Sequence, residues 1–252
     1  MKKGFLLSLA TLFAVAVSPS LAAGKIDPEM AKLRREKLNS RARRVIFNND
    51  GCEISSAMLR TPSVANFLKL RHNGLLNSHV EVISYCPVTT GFGNVSYQSK
   101  ICNDLTNHPG FKDSLLWFYK NNTDPMMESC RFAHANNMES FYSMRMNDCH
   151  DAFSGGNNLW PPFKSKHPEL LFGTAKNKPH YGYWSGVDYS RKEIRDMACA
   201  IIKEAVEKFP LDGVELDFCR HWAFLRSAAY GDPVTQSEID NMTGMIRQMR
   251  II

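Results

Sequence analysis

The segment Leu211-Asp212-Gly213-Val214-Glu215-Leu216-Asp217-Phe218-Cys219-Arg220-His221 sets acids, a guanidinium and an imidazole beside one short apolar run, which is the raw material of general acid/base catalysis. A strand turns successive side chains to opposite faces, so Val214, Leu216 and Phe218 share one side while Glu215 and Asp217 share the other. The apolar side can pack on helices, leaving the acids facing a polar interior or cleft. Asp217, at the carboxyl end, is the candidate catalytic acid or base. Glu215 lies deeper, where a structural ion pair with Arg145 on the neighbouring strand would hold it ionised. Two residues along a strand span about 6.5 Å, a separation suited to inverting glycosidases, but such side chains point the same way instead of flanking a scissile bond. A second carboxylate is therefore expected from another strand.

A second chemistry-rich segment is Met146-Asn147-Asp148-Cys149-His150-Asp151. Asn147 could contact substrate hydroxyls, and Asp148, His150 or Asp151 could serve as acid/base groups or metal ligands. Asp-x-His-Asp is a weak ligand pattern, and polar residues in a turn also bond their own backbone, so no metal or cofactor is expected. Arg220 and His221 suit a substrate carboxylate, sulfate or hydroxyl, or an ion pair with a loop acid. A long loop over residues 148–184 carries Trp160, His180, Tyr181, Tyr183 and Trp184. Exposed aromatics such as Trp184 suit stacking on the apolar C–H faces of sugar rings, or packing of the loop on the core. Asn147, Asp148, His150, Arg220, His221 and Trp184 are the candidate substrate contacts.

These groups need a scaffold. Four strands are expected, over residues 44–48, 79–85, 140–146 and 213–218, with helices between them. Residues 61–71 form a helix with Thr61 as cap and Pro62 first; residues 125–137 form another after Asp124. Residues 190–209 form the most periodic one, with Ser190 as cap, Glu193 at capping-box spacing and a stripe from Ile194 to Phe209. Strands alternating with helices imply an α/β fold with a parallel sheet. Central strands of an open parallel sheet read as continuously apolar, whereas here Ser143, Arg145 and Asn147 alternate with Tyr142, Met144 and Met146, which favours a (β/α)8 TIM barrel. In a barrel the long loops gather at the carboxyl ends of the strands. Residues 44–252 are read as the barrel domain.

Met1-Lys2-Lys3, the apolar run from Phe5 to Val17 and Ser20-Leu21-Ala22-Ala23 have the parts of a signal peptide over residues 1–23, so a secreted or periplasmic protein with no membrane span is expected. Residues 24–43 form a basic arm. Lys32, Arg34, Arg35, Lys37, Arg41, Arg43 and the adjoining Arg44 could contact nucleic acid or anionic lipid, but the run has no aromatic partners for base stacking, so a solvated helix is expected and no nucleic-acid partner. The seven cysteines lack CxxC spacing, which gives no support to a zinc site and leaves any pairing open.

Taken together, Arg44-Val45-Ile46-Phe47-Asn48-Asn49-Asp50-Gly51, Ser143-Met144-Arg145-Met146-Asn147-Asp148-Cys149-His150-Asp151 and Asp212-Gly213-Val214-Glu215-Leu216-Asp217-Phe218-Cys219-Arg220-His221 resemble a largely uncharacterised family of exported bacterial glycoside-hydrolase-like TIM-barrel proteins. The last segment also looks like the chitinase-type pattern D-x-x-D-x-D-x-E at Asp212 and Asp217. Glu215 replaces its middle Asp and Cys219 its catalytic Glu, which argues against a chitinase mechanism. After Phe218 only 34 residues follow, too few for the four further strands of a closed barrel. The expectation is thus the N-terminal half of a barrel, about four β/α units, truncated and inactive alone and completed by a C-terminal half-barrel partner. Residues 249–252 would open a fifth strand. The resemblance implies hydrolysis of a polysaccharide or oligosaccharide by carboxylate acid/base chemistry. The alternatives are a non-catalytic carbohydrate-binding or assembly module, and a metal-dependent hydrolase using Asp148, His150 and Asp151.

Overall fold

The computed structural model describes residues 27–40, 45–88, 90–153 and 159–252. The expected signal segment 1–23 lies outside these residues, as do parts of the 24–43 arm and Arg44. Four strands, β1 (Ile46–Asn49), β2 (Val82–Tyr85), β3 (Glu139–Arg145) and β4 (Gly213–Asp217), form one parallel sheet in the order β1-β2-β3-β4. Helix α1 (Pro28–Ser40) precedes it; α2 (Val64–Arg71) links β1 to β2; α3 (Pro109–Lys120) and α4 (Pro125–Ala135) link β2 to β3. The chain from β3 to β4 contains a short α5 (Pro162–Lys166) and α6 (Lys192–Lys208), and α7 (Arg226–Tyr230) and α8 (Gln236–Met249) follow β4.

One face of the sheet is apolar. Ile83 and Tyr85 from β2 and Tyr142 and Met144 from β3 are buried with Phe67 of α2, Met126 and Phe132 of α4 and Ile194, Ile201 and Ile202 of α6. Phe67 meets Tyr85 and Phe118 edge-on, with centroids 6.1 and 5.6 Å apart, a geometry that adds attraction to the area buried. Each such side chain contributes about 1.5–3 kcal/mol by leaving water.

The other face is polar. Asn48, Ser84, Phe141 and Gly213 fall at one level across the four strands, and one step along Ser143 stands opposite Glu215 and Arg145 opposite Asp217. A Cβ on Gly213 would lie 2.6 Å from the Phe141 ring, so only glycine lets that ring lie across β4.

Several helix starts differ from expectation. α2 begins two residues late because Ser63, not Thr61, accepts the Asn66 amide, at 3.1 Å. The Ser190 hydroxyl donates to Asp188 at 2.7 Å, so α6 starts after Arg191 without a side-chain cap. Asp124 caps α4 as its sequence implies, accepting from Met127. The expected strand at 249–252 is a helical end: the Ile251 amide bonds the Gln248 carbonyl at 3.1 Å. Within the basic arm, α1 is not wholly solvated. Arg34 is buried and donates to the carbonyls of Asn136 (3.3 Å), Ser78 (3.0 Å) and Leu75. Among the described residues, no helix is long and apolar enough to cross a membrane.

Candidate active site at the carboxyl ends of the strands

The loops after the strands meet at one end of the sheet. Asn147, just past β3, is buried, and its amide donates to Val187 O (3.1 Å) and Ala223 O (2.7 Å) while its oxygen accepts from Val187 N (2.9 Å). It ties the long β3–α6 loop and the chain after β4 to the strand end. Both ends of the Asn147 amide, read from sequence as a substrate contact, are thus bonded within the protein.

Arg145 and Asp148 form a buried ion pair, Nη1 to Oδ2 3.0 Å. The other oxygen of Asp148 accepts from the His150 amide (3.0 Å) and from Nδ1 of its ring (2.7 Å). Burial pushes the Asp148 carboxyl up, but the hydrogen bonds and charge of its partners His150 and Arg145 outweigh it and hold it below the usual carboxylate range. Arg220 comes within 2.7 Å of His150 Nε2. A guanidinium has only donors, so Nε2 is the acceptor and the ring proton sits on Nδ1, facing Asp148.

His221 completes the cluster. Its Nδ1 accepts the Cys149 amide at 3.2 Å, which leaves Nε2 to carry the proton of the neutral ring. Burial holds its pKa down at about 4, with the Asp148 charge opposing and His150, Arg220 and Arg145 acting in the same direction as burial. Ligand atoms of Asp148, His150 and His221 lie within 4.8 Å of one another, a spacing that a metal could bridge. An ion there would compete with Arg220 for His150 and with the Cys149 amide for His221, while Asp148 already accepts three hydrogen bonds from Arg145 and His150. Asp151 stands apart from this trio, buried against Lys164 Nζ (2.5 Å) and the Ser185 hydroxyl (2.6 Å).

The Arg145–Glu215 pair expected from strand alternation is corrected by the register. Arg145 stands opposite Asp217 and turns to Asp148, while both oxygens of Glu215 accept from Asn48 Nδ2, at 2.9 and 2.8 Å, and one accepts from the Ser84 hydroxyl. Residue spacing does not pair Asn48 or Ser84 with Glu215, although a serine within Val-Ile-Ser-Tyr is a visible polar break in an apolar strand. Asp217 ends β4 with Oδ1 accepting the amides of Cys219 (2.8 Å) and Arg220 (3.2 Å), which shapes the turn that presents Arg220 and His221. Asp212, at the opposite end of β4, accepts the Ser140 amide and pairs with His134, so it anchors β3 far from the cluster.

The rim is aromatic. Tyr183 meets His221 edge-on at 5.3 Å and Phe153 at 4.5 Å, and Tyr181 lies 6.0 Å from Trp222. Phe153 and Trp222 are each 61% exposed. Trp184 has one ring face taken by Trp160, stacked at 5.0 Å, whereas Tyr183 meets His221 of the cluster.

No protein-family model and no curated protein matches the chain. Among solved structures it is similar to alpha-L-fucosidase isoenzyme 2 from Paenibacillus thiaminolyticus, at 16% identity and a TM-score of 0.50 over 83% of this chain and 30% of that one. It also matches the galactosidase domain of an alpha-galactosidase-sucrose kinase (13% identity, TM-score 0.46, 84% of this chain and 26% of that one). A maltogenic alpha-amylase from Thermotoga neapolitana matches at 16% identity and a TM-score of 0.44, over 82% of this chain and 43% of that one. The fold is glycoside-hydrolase-like. The chain spans less than half the length of each of these proteins, and its four-stranded parallel sheet is consistent with part of a TIM barrel.

Proposed function

We propose that the chain is an exported glycoside hydrolase that acts on a polysaccharide or oligosaccharide, with Asp217 as general acid or base. The observation that carries this reading is the position of Asp217: it ends a polar row at the carboxyl end of a parallel strand, where enzymes of this fold class project their catalytic groups. The aromatic rim beside it fits sugar rings. The second carboxylate and the closing strands come, in this reading, from a C-terminal half-barrel partner. Hydrolysis of a polysaccharide panel by the chain joined to that C-terminal partner domain, compared with Asp217→Asn, tests it. Loss of turnover with retained binding supports the role of Asp217, and undiminished turnover removes that residue from the mechanism.

One observation favours a second reading, a non-catalytic carbohydrate-binding module. Asp217 Oδ1 is already committed to two backbone amides, as in a residue that shapes its own turn. Saccharide binding with no turnover, even beside an added partner domain, would select this reading.

A further inference from the structure

The carbohydrate reading leaves the class of sugar open, and the polarity of the hydrogen bonds around His150 and His221 narrows it. Three contacts decide which atoms remain for a ligand. Arg220 donates to His150 Nε2, which uses the acceptor of that ring; His150 Nδ1–H faces Asp148, which uses its donor. The Cys149 amide occupies the acceptor of His221, so the ring can offer only Nε2–H. Asp148 is buried and accepts three hydrogen bonds from Arg145 and His150. What these contacts leave for a ligand is therefore a set of donors: the remaining N–H groups of the exposed Arg220 and the Nε2–H of the partly exposed His221.

Arg220 also lacks a carboxylate partner among the described residues. Arg71, Arg131 and Arg145 each pair with an acid, whereas the exposed Arg220 guanidinium rests on the His150 ring. A guanidinium held by a weak partner keeps most of its capacity to bind a planar or tetrahedral oxyanion in two-pronged fashion. The acids nearby do not compete for the same place: Glu215 is bound by Asn48 and Ser84, and Asp217 turns one oxygen back into its own loop. Tyr183, edge-on to His221, gives the ring of such a ligand an apolar face beside the donors.

We infer that this site takes an anionic saccharide, one whose carboxylate or sulfate oxygens are received by Arg220 and by His221 Nε2–H. The inference rests on the carbohydrate reading and specifies its substrate class. The test is calorimetric titration of the whole chain with three oligosaccharides of equal length: one neutral, one bearing uronic acid carboxylates and one bearing sulfate esters. At least one acidic ligand should bind on the order of 10-fold more tightly than the neutral one, and the preference should fall as salt is raised. The arm that binds more tightly identifies the group as carboxylate or sulfate. In Arg220→Gln the preference should vanish, and Arg220→Lys should restore it only in part, because an ammonium lacks the fork geometry. Equal affinity for neutral and acidic ligands would overturn the inference and leave the carbohydrate reading standing. A preference that survives Arg220→Gln would overturn it too. Failure of all three to bind would sink the carbohydrate reading itself, and the inference with it. Arg220 lies exposed on a loop, and matching thermal unfolding of the variants separates lost recognition from lost fold.

Discussion

Arg220 Nη2 lies 2.7 Å from His150 Nε2, and this single contact places the His150 proton on Nδ1, against Asp148. A line of alternating donors and acceptors thus runs from buried Arg145 through Asp148 and His150 to the exposed Arg220. It joins the end of β3 to the loop after β4.

Asp148→Asn should destabilise the protein by about 3–5 kcal/mol, because it leaves the buried Arg145 guanidinium without its counter-charge. Urea unfolding at neutral pH measures the loss. A change below 1 kcal/mol would mean that Arg145 finds compensation elsewhere.

Asn147→Ala should lower stability by about 2–3 kcal/mol, since it removes the partners of the buried backbone groups of Val187 and Ala223. Saccharide affinity at a temperature where the variant is folded should change much less. If affinity falls while the unfolding midpoint holds, Asn147 is a ligand contact after all.

His72 provides a pH dependence with a definite sign. It is fully buried, its Nε2 bonded to Ser129 at 3.0 Å, and burial pushes its pKa down from 6.5 to about 3. The unfolded chain therefore binds a proton at a pH where the folded one does not. The contribution of His72 is complete above pH 6.5 and is lost as pH falls toward 3. Relative to His72→Gln, the wild type should lose about 2 kcal/mol between pH 7 and pH 5, read from urea midpoints. A difference that stays constant over this range would show that His72 takes up its proton in the fold as readily as in the unfolded chain.

Glu215→Gln should cost about 1 kcal/mol or more, because the glutamine would bring its own N–H₂ against the Asn48 amide donor. Adding Asn48→Asp reverses the polarity of that contact, so the double variant should recover part of the loss. A double-mutant cycle with no coupling would deny the contact.

The alternation in β4 and the polar breaks in β3 made the parallel sheet and its two chemically distinct faces legible, because each strand carries a period of two whatever its neighbours do. Asp124-Pro125 marked a helix start for a similarly local reason. Pairing between strands was not legible. Whether Arg145 meets Glu215, Asp217 or Asp148 depends on stagger and on the turn at Asn147, and neither leaves a trace in residue spacing. α3 was missed although Phe111, Leu115 and Phe118 recur at helical spacing after Pro109, a pattern masked by the polar residues before it. Of the candidate site, the residue types around His150 and His221 were readable, but not which nitrogen carries each proton.

The bond from Asn48 on β1 to Glu215 on β4 crosses two intervening strands. In a flat sheet these strands would lie roughly 14 Å apart, with side chains standing perpendicular to the plane and unable to meet. The contact therefore requires the ribbon to be rolled into a trough, with the glutamate as a chord across it. These four strands carry their own radius of curvature, so a segment docking along the polar side would meet a gutter already bent to shape.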